Sequence, residues 1–494
     1  QKRTRKVNLG EYIVLAAINQ VGHTSSKQGL ASWYQSTVLP RITGISSKHL
    51  TSQHFWNAFE EIVSEKELER NKEQAGIDAA SKVTFEQLEE LLDDRNIEEI
   101  EEEIWKVVTD KFDLLLDVIL YDGTNFYTFM DPTTAANIPQ RGENKQKRYD
   151  KRQIGLVMAV LRQWGIPIFH KIYGGQTNEQ CLFPTAISQL TKCYSRIGKT
   201  LEELTIVFDQ GSNSREHIEN LEDTIHFIGA LSPCDYPNLS AIALKEYTGR
   251  YKDSQFYDTK MKVYGRESLV ILCYCEKQRK KQLASFNTQV SRVQSALTSK
   301  IKKESSSKEW DELKEDIQQD LKSRKIFSAK ASRYLEIKDQ INGAGKRTLR
   351  IVRKKKELLQ KRLTFGKRIV FTDLVDEKPE KILGDYASKQ GIEDDFKILK
   401  DRQYVSLWPI RHWTDTKIRI HAFVTVLALL LIKLIEHQVR SEGTQISGKS
   451  LVNELQDITE CLLLYNTNES ETKICEMNTN QKEIFKILAL EQFI

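Results

Sequence analysis

Residues 386 to 400 read YASKQGIEDDFKILK, with three consecutive acids, Glu393, Asp394 and Asp395, set among apolar residues and lysines. On a helix each residue turns ~100° about the axis, so with Tyr386 at zero, Lys389 falls near ~300°, Glu393 near ~340° and Lys400 near ~320°. These four side chains share a stripe about 60° wide, beside an apolar seam of Ile392, Phe396 and Leu399. Asp394 and Asp395 point elsewhere. One carboxylate flanked by two ammonium groups and a phenol could form a cleft edge that holds phosphates. Spaced lysine and glutamate partners on a solvated helix face fit the same pattern, so the cleft reading requires further carboxylates from elsewhere in the chain.

Two candidates stand where apolar runs end, Asp122 in VILYDGT and Asp209 in TIVFDQG. The ends of strands are where a sheet presents side chains to a crevice. Asp122–Gly123 also reads as a type I′ hairpin turn between two strands, and Asp209 as a strand-end turn or a helix cap. If Asp122, Asp209 and Glu393 meet, their charges repel unless cations lie among them, and such hard oxygen donors suit Mg²⁺, with Mn²⁺ as a substitute. A pair of these ions can activate an attacking oxygen and stabilise the leaving oxygen of a phosphodiester.

The elements that would position these acids are legible in the periodicity. Residues 1–112 form a helical N-terminal region, since GEYIVLAAINQ, QGLASWYQSTVL, SQHFWNAFEEIVSEKEL and IEEIEEEIWKVVTDKF repeat apolar residues every three to four positions. The strongly acidic stretch 86–103 would repel a DNA backbone. From 113 to 230 the chain reads as an α/β layer. DLLLDVILYDGTNFYTFM gives a buried strand and a partner strand, and QIGLVMAVL and IPIFHKIYGG give two more around the turn RQWG. A helix follows over EQCLFPTAISQLTKCYSRI, then the strand of TIVFDQG, a helix near 213–222 and the strand IHFIGAL. Residues 231–371 read as an inserted, strand-rich subdomain with a charged helical region near 278–325. Periodicity returns over 372–438, and 439–494 form a C-terminal helical tail interrupted by YNTNESETK.

A chain of 494 residues can bury several cores, and its net charge of only +5 confines any nucleic-acid contact to local basic patches. The seven cysteines are scattered without zinc-ligand spacing, which points to reduced thiols. The longest apolar run, FVTVLALLLI, is too short to cross a bilayer and reads as a buried core helix. The basic start QKRTRK has no apolar segment directly behind it, as a secretory signal requires. The expectation is a cytoplasmic protein without a membrane partner.

The order of these features resembles the RNase H-like DDE transposases of prokaryotic insertion sequences: an Asp at the end of the first strand, an Asp after the fourth, a large insertion, then a Glu on a helix. The helix itself is similar to their Tyr-x2-Arg-x3-Glu-x6-Lys signature, the YREK motif, met here by Tyr386, Lys389, Glu393 and Lys400 with lysine in the arginine position. IPIFHKIYGGQTNE and HWTDTKIRIHAFVTVLALLL also look like segments of these enzymes, so the resemblance spans roughly 113–435. It implies an RNase H-like core interrupted by an inserted subdomain, with Asp122, Asp209 and Glu393 binding catalytic Mg²⁺. It also implies that Tyr386, Lys389 and Lys400 contact phosphates of the transposon end, and that the N-terminal region binds DNA ends. Lysine in the arginine position offers a point charge where guanidinium gives a planar fork. The implied activity is cutting at the ends of a mobile element in double-stranded DNA and joining the freed 3′-hydroxyl to target DNA, carried out by a homodimer on a prokaryotic chromosome. The alternatives are a transposase-derived DNA-binding protein that no longer cuts, against which the retention of all three acids speaks, and a metal-dependent nuclease acting on free DNA.

Three further stretches each admit two readings, and one histidine admits a plain one. EYTGRYKDSQFYDTKMKVYGRE (246–267) interleaves aromatics and bases as a DNA grip or forms an ordinary exposed hairpin, and KRTLRIVRKKK (346–356) contacts DNA or is simply solvated. Arg411, His412 and Trp413 touch DNA or pack, and His421 reads as a core residue.

Overall fold

The computed structural model describes residues 7–22, 26–78, 81, 83–92, 94–131, 133–134, 136–142, 148, 150–177, 179–197, 204–221, 224–305, 308–322, 329–341, 347–465 and 470–493. The basic leader 1–6, Lys346 of the basic run, the end of the charged helical region at 323–325 and the centre of YNTNESETK lie outside these residues. The chain forms two compact units, residues 1–227 with 387–494, and residues 228–386.

Among the described residues of the first unit, seven α-helices precede the first strand: α1 (Leu9–Gly22), α2 (Leu30–Gln35), α3 (Leu39–Thr43), α4 (Ser52–Phe59), α5 (Glu65–Gln74), α6 (Phe85–Leu91) and α7 (Arg95–Phe112). Side-chain caps begin α4, α5 and α6, from Thr51, Ser64 and Thr84 respectively, so the long expected helix over SQHFWNAFEEIVSEKEL is two helices divided at Ser64. The sheet follows as β1 (Val118–Tyr127), β2 (Gln153–Leu161), β3 (Pro167–Gly174) and β4 (Thr205–Val207) in the order β3-β2-β1-β4. β2 is buried along its whole length, which is why QIGLVMAVL reads as an unbroken apolar run. Helices α8 (Phe183–Arg196) and α9 (Arg215–Glu219) flank β4 in sequence.

Asp122–Gly123 is not a turn. β1 runs through it, with Asp122 opposite Met158 and Gly123 opposite Val157 of antiparallel β2. A hairpin would require the two halves of this segment to pair with each other; instead β2 takes one edge of β1 and β4 the other.

The acidic helix α7 turns much of its charge inward. Glu101 meets His170 Nδ1 at 2.5 Å, Glu98 accepts from Gln189 and Glu102 pairs with Arg196, so these acids dock the helix onto β3 and α8. Two of the closing helices of this unit are α16 (Gln390–Lys400) and α17 (Asp415–Ser441). α17 is long and apolar enough to cross a membrane, but its most apolar window is 78% buried inside the protein. The expected helical tail contains α18 (Gly448–Gln456) and α19 (Thr479–Ile487), but between them lies a hairpin of β12 (Glu460–Leu464) and β13 (Ser470–Ile474).

β5 (His226–Leu231) begins in the first unit, where His226 donates its backbone N–H to Leu204, and continues into the second. There it pairs with β11 (Lys367–Thr372), followed in order by β8 (Arg266–Tyr274), β7 (Ser254–Val263) and β6 (Gly249–Tyr251), all antiparallel. The stretch 246–267 is therefore a hairpin, closed by a two-residue turn at Tyr264 and Gly265, both with positive φ. A separate core packs α11 (Glu276–Glu304) and α12 (Trp310–Lys322) against the hairpin β9 (Leu335–Ile341) and β10 (Arg347–Arg353) through Val290, Leu297, Ile317 and Ile351. Short helices α10 (Pro237–Ser240), α13 (Ala329–Ser332) and α14 (Lys355–Leu363) complete the unit with α15 (Pro379–Ala387).

The unit boundaries fall at 227/228 and 386/387, against sequence-based boundaries of 230/231 and 371/372. α15 accounts for the later second boundary, because the Arg368 guanidinium lies 5.6 Å from the Tyr386 ring centroid within the second unit. The single helix expected across 386–400 is also two helices. α15 ends at Ala387, a turn occupies Ser388 and Lys389, and α16 starts at Gln390, so the wheel drawn from Tyr386 does not continue to Glu393.

Candidate active site

The register of two parallel strands positions the aspartates. Leu120 of β1 lies beside Val207 of β4, and each chain reaches an aspartate two residues later, Asp122 and Asp209. Parallel neighbours advance together at about 3.3 Å per residue, so both carboxylates arrive at the same level. Alternation puts Leu120, Asp122, Thr124 and Phe126 on one face of β1 and Tyr121 on the other, where its ring meets Phe183 of α8 at 5.3 Å. α16 lies on the Leu120 face, close enough that a Cβ on Gly391 would come 3.8 Å from Leu120 Cδ1.

Lys389, at the start of α16, brings a charge into this corner. Its Nζ lies 3.5 Å from Asp122 Oδ2 and 3.2 Å from Asp209 Oδ2. Lys389 is 6% exposed and Asp122 9%, whereas the Asp209 side chain is half exposed. Asp209 precedes the short 3₁₀ turn Gln210–Ser212 without capping it. The structure thus sets aside the hairpin turn for Asp122 and the helix cap for Asp209, while Asp209 does stand at a strand end that leads into a turn. The two carboxylates thus share the Lys389 ammonium.

Glu393 lies one turn beyond Lys389, in the first turn of α16, and is exposed. Among the described residues no three acids, histidines or cysteines gather closely enough to hold a metal ion, so Glu393 does not join the pair formed by Asp122 and Asp209. Lys400, at the other end of α16, donates to Thr124 Oγ1 at 2.5 Å, with its Nζ 5.2 Å from the Phe126 ring centroid. Lys389 and Lys400 therefore both reach the face of β1 that carries Leu120, Asp122 and Thr124, while Tyr386 belongs to the second unit.

The remaining acids of the triplet have distinct structural roles. Asp394 pairs with Lys397 at 2.6 Å on the exposed side. Asp395 is wholly buried and sits 2.5 Å from Lys433 of α17, and burial pushes its carboxyl up to about 6 despite that ammonium. This pair fixes the back of α16; sequence inspection alone had only placed Asp395 off the stripe. Thr124 and Phe126 also went unnoticed, although their alternation with Asp122 on β1 was the available signal.

His412 and His421 pack against each other with ring centroids 5.0 Å apart, and Trp56 meets His412 at 5.2 Å. Burial, with Lys27 and Lys417 nearby, pulls the His412 imidazole down to about 4. His421 donates from Nε2 to the Leu407 carbonyl, while Trp413 is exposed.

No family model matches this sequence, and no curated protein matches it. Among solved structures, the chain is similar to the piggyBac transposase synaptic complex with hairpin DNA, at 10% identity over 92% of this chain and 73% of that one, with a TM-score of 0.41. It is also similar to the Mos1 transposase paired-end complex with the left transposon end, at 12% identity over 48% of this chain and 63% of that one, with a TM-score of 0.17.

Proposed function

We propose that this chain is a DNA transposase that cuts at the ends of a mobile element and joins the freed 3′-hydroxyl to target DNA. The observation that carries the reading is the parallel register that sets Asp122 beside Asp209 around a shared cation, with the YREK-like helix packed on the same face of β1. A divalent metal would sit between these carboxylates, whose hard oxygen donors suit Mg²⁺ or Mn²⁺. Divalent ions would supply a polarised attacking oxygen and a stabilised leaving oxygen. Asp122 and Asp209 would hold them, with Glu393 completing the set as α16 adjusts on DNA. Lys400, on the same face, would meet a backbone phosphate as a point charge. The prokaryotic insertion-sequence group with the YREK signature is the form of transposase proposed, acting as a homodimer on two ends.

The test uses the DNA flanking the coding sequence as candidate ends, incubated with purified protein and Mg²⁺. The expected result is cleavage at those ends and their joining to a second duplex. Binding without nicking would favour a DNA-binding descendant, a reading to which the separation of Glu393 from the aspartate pair lends support. Hydrolysis without end preference or joining would favour a nuclease.

A further inference from the structure

Three aromatic rings gather at the end of β1 in the first unit. Tyr127 closes the strand, Phe129 follows it, and Trp408 comes from the segment after α16. Their centroids lie 5.7 Å (Tyr127 to Phe129), 5.1 Å (Tyr127 to Trp408) and 5.6 Å (Phe129 to Trp408) apart. Each ring carries a cation. Arg402 lies 3.6 Å from the Trp408 centroid, Lys151 5.1 Å from that of Phe129, and Arg148 5.7 Å from that of Tyr127. We propose that this cluster binds unpaired DNA, with bases stacking on Phe129 and on the Arg402–Trp408 pair while backbone phosphates meet Arg402 and Lys151.

Long cations often lie over apolar surface simply to cover it, and three features set this cluster apart. First, Phe129 is 50% exposed, so a large ring stays in water beside its neighbours. Second, Arg402 is exposed, and among the described residues no acid pairs with it. Its charge and N–H groups are open to a ligand, and a guanidinium plane is itself a surface on which a base can stack. Arg148 differs, because two 2.9 Å bonds tie it to Asp150, so it supports the Tyr127 ring rather than offering a charge. Third, the platform is built in advance. Trp408 Nε1 donates to the Tyr127 carbonyl at 2.9 Å, and the Thr128 N–H donates to the Arg152 carbonyl at 2.7 Å. Less side-chain freedom is then lost when a ligand arrives.

The chemistry selects a single strand. Within a duplex each base face is covered by its neighbours, so only the phosphates could meet this patch. An unpaired strand presents a π-face and a negative charge at every nucleotide, which matches rings and cations set side by side. Asp122 and Tyr127 lie on the same strand, about 17 Å apart at ~3.4 Å per residue. The choice of DNA over RNA rests on the proposed function; the stacking does not, since none of Asp122, Asp209 and Glu393 takes part in it.

Fluorescence anisotropy of the full chain tests this with labelled oligothymidylate of about 15 nucleotides, an abasic strand of equal length, oligouridylate and a blunt duplex. Wild type is expected to bind oligothymidylate about tenfold or more tighter than the abasic strand. Phe129→Ala should weaken oligothymidylate binding about fivefold or more while leaving the abasic strand and the duplex within about twofold. Arg402→Gln should weaken it similarly and lower the salt slope by about 0.7. Both side chains are exposed, and an unchanged melting temperature checks the fold. Equal affinity of wild type for oligothymidylate and the abasic strand overturns the platform, as does an equal loss on the duplex in Phe129→Ala. Tighter binding of oligouridylate overturns the assignment to DNA. Unchanged oligothymidylate binding by both variants, in a protein that cuts element ends, overturns the platform and leaves the proposed function standing. Selective loss in a protein that never cuts supports the platform and removes the enzyme.

Discussion

At the scale of single residues, three neighbouring acids on one helix have three different surroundings. Glu393 is exposed in the first turn, Asp394 is tied to Lys397, and Asp395 is buried against Lys433. If Glu393 is the catalytic member, Glu393→Gln lowers DNA cutting by at least about a hundredfold while end binding persists, and Asp122→Asn and Asp209→Asn do the same. Asp394→Asn should leave cutting within about twofold of wild type, because its charge is spent on a surface pair. A gel assay of cleavage and binding on the same DNA separates these outcomes, and equal loss from Asp394→Asn would contradict the assignment. Asp395 has a different fate. Removing its partner by Lys433→Met leaves an uncompensated buried carboxylate and should destabilise the fold by about 3–5 kcal/mol, whereas Asp395→Leu with Lys433→Met should recover most of that loss in urea melts. The helical wheel could not show that Asp395 is buried or that Lys433 comes to it, because that contact depends on how α17 packs.

At the scale of elements, alternation and apolar runs exposed most of the sheet, and local chemistry misled at two places. Asp-Gly between apolar runs is a strong turn signal, yet here it is mid-strand because β2 and β4 supply neighbours on both edges of β1. The seam of Ile392, Phe396 and Leu399 is real, but the chain passes from one unit to the other just before it, and the helix breaks at Ser388 and Lys389. Short strands near the C-terminus were also missed, since Leu462, Leu463 and Leu464 do not alternate with polar residues. That hairpin carries its own prediction. Cys461 and Cys475, distant in sequence, bring their Sγ atoms to 3.1 Å across β12 and β13. Oxidised glutathione should convert both thiols to one disulfide with release of two glutathione thiols, adding about 3 kcal/mol to hairpin stability for a loop of this size. Peptide mapping would reveal the cross-link, and two thiols that remain titratable after that treatment would contradict the pairing.

At the scale of the whole molecule, acid sensitivity follows from buried groups of opposite sign. The His412 imidazole titrates near its ordinary value of 6.5 when unfolded but is pulled down to about 4 when folded, so stability is lost as pH falls from about 6.5 toward 4. His421 is lowered as well and acts in the same direction. Asp395 opposes them: its folded value is raised to about 6, so the folded chain takes up its proton first and stability is gained as pH falls from about 6 toward 3.8. Comparing urea midpoints at about pH 7.5 and about pH 5, His412→Gln should lose less stability than wild type and Asp395→Asn more. Identical losses in all three proteins would contradict these assignments. None of this was visible in the sequence, which showed a histidine after WPI but not the Trp56 ring against it or Lys27 and Lys417 nearby. What the sequence did show was the order of strands and acids along the chain. It could not show that Leu120 and Val207 stand in register, which brings Asp122 level with Asp209.

Anomalous diffraction from crystals grown with Mn²⁺ and a DNA duplex puts that register to its most direct use. Density for Mn²⁺ within about 2.2 Å of carboxylate oxygens from both Asp122 and Asp209, with Glu393 turned toward it, is the expected result. Mn²⁺ bound elsewhere, or Glu393 still remote from an occupied Asp122–Asp209 pair with DNA in place, would contradict the proposed enzyme.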